Sequence, residues 1–173
     1  MIQKKICMVG ACGVGKTSLV RRFVESIFDE RYQTTLGVQI DKKCVEVKGT
    51  EVTLVIWDLG GEDELIQLRV SYLRGASGYL LVADGTRTAT LAKARELEER
   101  IRGQLGPIPF LLLVNKSDLA EEWEAGETWA VIARLGWSHI RTSAKTGDGV
   151  EHAFQQLASQ MLEKPHDREF ERG

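Results

Sequence analysis

The sequence predicts an α/β fold in which a mostly parallel sheet of about six strands lies between two layers of helices. Short apolar runs alternate with amphipathic, helix-period segments along the chain, as in KICMV (5–9), YLLVA (79–83), FLLLV (110–114) and the stretch around HIRTS (139–143). The middle two runs are apolar on both faces, which is typical of parallel strands buried between helices. Such a doubly wound sheet binds ligands at the carboxyl ends of its strands.

One pair of strands departs from this alternation. Residues 38–47 and 51–57 are separated only by the turn Lys48-Gly49-Thr50, which is too short to hold a crossover helix. They therefore predict an antiparallel hairpin, and the polar segment 38–47 is expected at the edge of the sheet.

Two helices can be predicted in some detail. Residues 150–162 carry apolar side chains at i, i+3 and i+4, and Asp148 with Glu151 predicts a capping pair at the start of this helix. The charged run 94–102 indicates the solvated face of another helix. Three tryptophans recur near helical spacing and are interpreted as packing residues: Trp123, Trp129 and Trp137.

Length and composition favour one domain over residues 1–163, followed by a short charged tail at 164–173. The formal net charge of −2 provides no basic field for nucleic acid, and the longest apolar runs are far short of a membrane span. The three cysteines lack CxxC spacing and favour a reducing compartment. The C-terminus carries no prenylation cysteine. We therefore expect a cytoplasmic monomer without a lipid anchor.

The first strand leads directly into GACGVGKT at residues 10–17, which has the form G-x-x-x-x-G-K-[ST]. Glycines in such a loop let backbone N–H groups surround a phosphate chain, and the N-terminus of the following helix favours the same anion. Lys16 is expected to reach the β- and γ-phosphates, and Thr17 to supply a hydroxyl to Mg²⁺.

NKSD at residues 115–118 follows the FLLLV strand, where a nucleotide base can lie. Asp118 can accept hydrogen bonds from N1–H and N2–H₂ of guanine, whereas adenine presents neither donor on that edge. Asn115 and Lys116 would brace this loop and cover the base. TSAKTG, after the last strand, would offer backbone N–H groups to the guanine O6.

Two further segments are expected to sense the γ-phosphate. Asp58 and Gly61 form D-x-x-G after a strand, so that the acid can hold Mg²⁺ through water and the glycine can approach the phosphate without a Cβ. Thr35, in the long connection that contains RYQTTLG (31–37), could complete the Mg²⁺ shell. Segments held only by the γ-phosphate and Mg²⁺ would form an order–disorder switch.

Taken in this order, these five motifs resemble the Ras superfamily of small GTPases over about residues 4–163. The resemblance implies a three-layer P-loop G domain that binds GTP or GDP with Mg²⁺ and hydrolyses GTP slowly. It also implies switches at about 28–38 and 58–72, which would contact effectors, an exchange factor and an activating protein. QTTLGV (33–38) is similar to the Rab branch and WDLGGED (57–63) to the Arf branch, so no subfamily is assigned.

The resemblance assigns roles to matching positions. Thr17 and Thr35 would bind Mg²⁺ directly, with Asp58 behind them. Catalysis would depend on Lys16, Thr35, Gly61 and Glu62. The nucleotide would contact a larger set of positions, some of which also have the roles above: Gly10, Cys12, Gly13, Val14, Gly15, Lys16, Thr17, Ser18, Phe28, Tyr32, Thr35, Gly61, Asn115, Lys116, Asp118, Ser143, Ala144 and Lys145.

Glu62 departs from the family pattern, because relatives usually have a water-positioning glutamine there. A carboxylate adds negative charge beside the phosphates but can also accept a proton, so its effect on the hydrolysis rate stays open. A GTP-binding interaction module that hardly hydrolyses is therefore an alternative. A nucleotide kinase or ATPase is disfavoured by NKSD. Cys12 also departs from the glycine that some members carry, and Arg31 could act as an arginine finger in cis.

Overall fold

The computed structural model describes residues 1–31, 35, 37–61, 68–123 and 127–163. Its strands are β1 (Ile2–Gly10), β2 (Val38–Val47), β3 (Thr50–Leu59), β4 (Gly78–Asp84), β5 (Phe110–Asn115) and β6 (His139–Arg141). They form one sheet in the order β2-β3-β1-β4-β5-β6. β2 pairs antiparallel with β3, and the other four pairs are parallel. The predicted fold class, the hairpin and the edge position of residues 38–47 are confirmed.

Helices cover both faces of this sheet: α1 (Lys16–Glu25), α2 (Thr88–Leu105), α3 (Glu127–Leu135) and α4 (Val150–Leu162). On one face Phe23 of α1 stacks on Phe154 of α4, with ring centroids 3.9 Å apart. On the other face Leu97 and Ile101 of α2 are fully buried, and the helix predicted from the charged run 94–102 is confirmed. Among the described residues, none of the helices combines the length and apolar composition that crossing a bilayer would require.

The central strands are apolar throughout because each face of the sheet has its own core. All seven residues of β4 are buried. Successive side chains of a strand point to opposite faces, so Leu80 joins the core beneath α1 and α4 while Leu81 joins the core beneath α2 and α3. The three-layer arrangement fixes the loops at the carboxyl ends of β1, β3, β5 and β6 along one edge.

The predicted capping pair of α4 is wrong. The N-cap is Gly149, which has a φ of 70° and makes no side-chain cap hydrogen bond. A Cβ at this position would collide with the carbonyl oxygen of Arg141, so the chain enters the helix through a residue that has no side chain. Asp148 instead accepts a hydrogen bond from Ser143 N at its backbone carbonyl, at 2.9 Å.

Candidate nucleotide-binding site

An open cavity of about 350 Å³ lies at the carboxyl ends of the strands. Fourteen of the residues predicted for the site line it: Cys12, Gly13, Gly15, Lys16, Thr17, Ser18, Phe28, Thr35, Gly61, Asn115, Lys116, Asp118, Ala144 and Lys145. The predicted Gly10, Val14, Asp58 and Ser143 do not appear in its lining. Tyr32, Glu62 and the tail 164–173 lie outside the described residues.

The loop at residues 10–17 has the backbone that its glycines allow. Gly13 and Gly15 have φ angles of 75° and 103°, in the left-handed region that L side chains rarely adopt. α1 begins at Lys16, so its N-terminus faces the cavity. The Lys16 ammonium donates to the carbonyl oxygens of Gly10 (3.1 Å) and Ala11 (2.9 Å) and is almost fully buried. Val14 lies in the core and contributes to this loop through its backbone.

Three oxygen-bearing side chains meet beside this loop. The Thr17 hydroxyl donates to Asp58 Oδ2 at 2.6 Å and lies 2.5 Å from the Thr35 hydroxyl oxygen. Asp58 Oδ1 is buried and has no hydrogen-bond partner among the described residues. Burial raises the pKa of this carboxyl group, partly offset by the hydrogen bond from Thr17 and the charge of Lys16. Hydroxyl and carboxylate oxygens with one acceptor left unsatisfied are the donor set that suits Mg²⁺.

The chain after β3 lies against the phosphate loop. Gly60 N donates to the carbonyl oxygen of Gly37 at 2.9 Å, which joins this segment to the residues before β2. A Cβ on Gly61 would lie 2.7 Å from Cys12 N and 3.0 Å from Ala11 C, far inside contact distance. The D-x-x-G glycine is therefore required by its close approach to the loop backbone.

The loops after β5 and β6 are joined by buried hydrogen bonds. Asn115 Nδ2 donates to Val14 O at 3.0 Å, and Asn115 Oδ1 accepts from the Thr142 hydroxyl at 3.0 Å. The fully buried Ser143 donates from Oγ to Asp118 Oδ1 at 2.7 Å. Asn115 therefore ties the phosphate loop to the loop after β6, and Ser143 orients the exposed Asp118 carboxylate, which faces the cavity.

Comparison with known proteins agrees with this geometry. The family model described as the Ras family matches residues 5–163. The chain belongs to the Ras family. Ras-related protein SEC4 of Saccharomyces cerevisiae is 35% identical over 162 residues, which are 92% of this chain and 75% of that protein. Ras-related protein Rab-18-B of Danio rerio is 34% identical over 164 residues, covering 93% and 80% of the two chains. The protein is thus a GTP-binding small GTPase.

This small GTPase also has site residues that the motifs did not reveal. Asp84 ends β4 and is buried, and its Oδ2 lies 2.8 Å from Lys116 Nζ and 3.0 Å from Arg87 Nε. Trp123 Nε1 donates to Lys116 O at 3.2 Å, so this packing tryptophan also supports the base loop. An acid at the end of a buried strand was a usable signal for Asp84, because Asp58 occupies the same kind of position. Nothing in the sequence indicated that Trp123 contacts the base loop.

The outer wall of the cavity is partly apolar. Ile27 and Leu119 have 53% and 37% of their surface exposed, which is high for large hydrophobic residues, and both line the cavity near Phe28. Arg31, considered above as an arginine finger, is a lining residue whose guanidinium pairs with Asp29 at 3.2 Å and is 84% exposed. Its described contacts hold it to its own loop.

We expect nucleotide binding to take up a proton at alkaline pH. Burial lowers the pKa of Lys16 to about 8, with the charge of Asp58 partly opposing the effect. Below pH 8 the buried charge of Lys16 lowers the free energy of unfolding of the free protein. This penalty is relieved as the pH rises from about 8 to 10.5, because the folded protein loses the proton first. A polyphosphate beside Lys16 favours the ammonium and restores the proton.

Calorimetry of GDP binding at pH 9, in buffers of different ionisation enthalpy, measures this uptake. The observed enthalpy should depend strongly on the buffer at pH 9 and only weakly at about pH 7.5, where most of the free Lys16 already carries its proton and the terminal phosphate of GDP, with a pKa of about 6, is ionised. Lys48→Met is the control: the Lys48 side chain is 70% exposed on the β2–β3 turn, so this variant should show the same buffer dependence as the wild type. Equal proton uptake at both pH values would contradict the assignment to Lys16.

Proposed function

We propose that this small GTPase is a guanine-nucleotide switch that binds GTP or GDP with Mg²⁺ and hydrolyses GTP slowly, with residues 1–163 as its G domain. The observation that carries the proposal is the meeting of Thr17, Thr35 and Asp58 beside the buried Lys16. These residues come from the phosphate loop and from the two segments 28–38 and 58–72. A ligand that holds them together would order both segments at once, as a switch requires.

Recognition of guanine is assigned to the loops after β5 and β6. Asp118 would accept from N1–H and N2–H₂, and the hydrogen bond from Ser143 keeps one of its oxygens directed. The backbone of Ala144 and Lys145 would donate to O6. The apolar side chains of Ile27, Phe28 and Leu119 would cover the faces and edge of the base, which would account for the exposure of Ile27 and Leu119 in the cavity.

The residues present fit Mg²⁺. Thr17 and Thr35 would hold the ion through their hydroxyl oxygens and Asp58 through water, which would satisfy the carboxylate oxygen that has no partner among the described residues. Bound Mg²⁺ would neutralise charge on the β- and γ-phosphates. Deep burial makes the Asp58 carboxylate costly to ionise alone, and a bound cation would offset this cost.

For hydrolysis, a water molecule would attack the γ-phosphorus in line with the leaving β–γ bridging oxygen. Lys16 would stabilise the charge on the phosphate oxygens, and Gly61 N–H would donate to the γ-phosphate from its place against Cys12. Glu62 would orient the water or accept its proton. Slow turnover is proposed from the family resemblance, and the glutamate at position 62 could lower or raise the rate.

A GTP-binding module with little or no hydrolysis is the second candidate, and the glutamate at position 62 is the observation that favours it. Effectors, an exchange factor and an activating protein would bind through the two switch segments under either candidate. We also propose a cytoplasmic location, in keeping with the three cysteines, none of which forms a disulfide among the described residues.

Nucleotide identity and single-turnover hydrolysis test these proposals together. Nucleotide released from the purified protein by denaturation should be GDP or GTP, and finding ATP or ADP would exclude the guanine assignment.

Hydrolysis of preloaded GTP is then compared between the wild type and Glu62→Gln, with and without an added arginine-bearing activating protein. We expect the wild type to turn over measurably and the two forms to differ by about tenfold or more, within the range of general acid–base effects. If neither form hydrolyses GTP under any condition, the second candidate replaces the first. Glu51→Gln is a matched control, since Glu51 is exposed at the far end of β3.

A further inference from the structure

The loop between β4 and α2 presents an arginine to the phosphate loop. Arg87 is the N-cap residue of α2, and its backbone is held independently of its side chain. Arg87 N donates to Asp84 O at 3.0 Å, and the Thr90 hydroxyl donates to Arg87 O at 2.7 Å. The guanidinium is thus projected from a fixed point at the carboxyl edge of the sheet.

The Arg87 guanidinium bridges two groups that are far apart in sequence. Its Nε donates to Asp84 Oδ2 at 3.0 Å, and its Nη2 donates to the carbonyl oxygen of Cys12 at 3.1 Å. The side chain is 47% exposed, whereas the Asp84 side chain is 1% exposed. A planar fork of donors suits this double contact, which a single ammonium point charge would not reproduce.

Asp84 connects this bridge to the base loop. The same oxygen, Oδ2, lies 2.8 Å from Lys116 Nζ, while Oδ1 accepts from Thr86 N (2.9 Å) and from the Thr86 hydroxyl (2.7 Å). Burial by itself would raise the pKa of Asp84, but the hydrogen bonds from Lys116, Thr86 and Arg87 lower it below its usual value. One buried carboxylate thus joins Lys116 of the base loop to Arg87, which contacts the phosphate loop.

We propose that Arg87 is a positioning residue of the nucleotide site, which holds the Cys12–Gly13 peptide of the phosphate loop in register with Lys116 through Asp84. The inference rests on the proposed nucleotide binding and adds a residue that none of the sequence motifs contains. Donation to the Cys12 carbonyl also polarises that peptide and strengthens Gly13 N–H as a donor to phosphate. Arg87 acts through the loop in both nucleotide states, so it supports GDP and GTP alike.

The test uses the full chain with the variants Arg87→Ala and Arg87→Lys. The control is Arg95→Ala, which removes an arginine that is 61% exposed on α2 and pairs with Glu99 at 3.6 Å. Three quantities are measured: dissociation of GDP and of a slowly hydrolysed GTP analogue in excess Mg²⁺, single-turnover hydrolysis of GTP, and the ¹⁵N shift of the Gly13 amide.

We expect Arg87→Ala to accelerate dissociation of both nucleotides by about tenfold, as for loss of one charge-assisted hydrogen bond at a half-exposed position. The hydrolysis rate of bound GTP should change by less than about threefold. The Gly13 ¹⁵N resonance should shift in Arg87→Ala and stay unchanged in Arg95→Ala. Arg87→Lys should behave like Arg87→Ala, because it cannot make both contacts. If Arg87→Ala does not fold, Arg87→Lys is used for the test in its place.

Three results would overturn the inference. Dissociation rates within twofold of wild type would show that the bridge does not position the loop. A loss of hydrolysis of about 10² or more with unchanged dissociation would make Arg87 a catalytic residue instead. Full rescue by lysine would show that charge alone matters. If the wild type itself retains no guanine nucleotide, the proposed function fails, and this outcome is seen before any variant is compared.

Discussion

Asp118→Asn is expected to lower the affinity for GDP by about 10³ to 10⁴ and to transfer the preference of the site to xanthosine diphosphate. In the proposed site guanine would present N1–H and N2–H₂ to the two carboxylate oxygens, whereas an amide would offer one acceptor and one donor and leave N2–H₂ facing its NH₂ group. A site built for specific hydrogen bonds rejects a mismatched group by about this factor. Xanthine carries a carbonyl oxygen at that position and accepts from the amide.

The hydrogen bond from Ser143 makes this prediction specific. Ser143 Oγ donates to Asp118 Oδ1 at 2.7 Å, so the oxygen of an asparagine would occupy this place and its NH₂ group would turn towards the base. Equilibrium titration with fluorescent GDP and xanthosine diphosphate measures both affinities. Asp148→Asn is the matched control, because it makes the same isosteric change at an exposed residue after β6. Unchanged GDP affinity in Asp118→Asn would remove Asp118 from base recognition.

The topology could be predicted because each element satisfied a local rule. β4 and β5 are apolar on both faces only because helices cover both sides of the sheet, so FLLLV and YLLVA already indicated a parallel, buried arrangement. The turn at Lys48 and Gly49 could only produce a hairpin. The start of α4 was not predictable in the same way, because Gly149 adopts a left-handed conformation that replaced the expected side-chain cap.

The site likewise contains residues that the sequence predicts and contacts that it does not predict. Residues in contiguous motifs, such as Lys16, Thr17 and Asp118, line the cavity where their strands end. The ion pairs of Asp84 could not be read from sequence, because its partners Arg87 and Lys116 come from different loops and the acid could have faced either one or neither. Spacing predicts which edge of the sheet a residue occupies, but pairing depends on side-chain directions that only tertiary structure determines.

Gly61→Ala is expected to reduce single-turnover GTP hydrolysis by about 10² to 10³ while leaving GDP affinity within about threefold of wild type. The added Cβ would lie 2.5 Å from Cys12 Cα and 2.7 Å from Cys12 N. Both are backbone atoms of the phosphate loop, which cannot give way as a flexible side chain would. The segment after β3 would have to move away from the loop, taking Gly61 N–H from the γ-phosphate. Loss of one preorganised donor to a transition-state oxyanion has an effect of this size.

Gly103→Ala makes the same chemical change where space is available. Gly103 lies within α2, no atom lies within 4 Å of a Cβ built there, and alanine is the better helix former by about 0.5–1 kcal/mol. This control should hydrolyse GTP at the wild-type rate and unfold at a slightly higher temperature. Normal hydrolysis in Gly61→Ala would show that the segment reaches the γ-phosphate by another route. Equal loss of GDP and GTP binding would instead place the damage in the phosphate loop, because GDP has no γ-phosphate for Gly61 to contact.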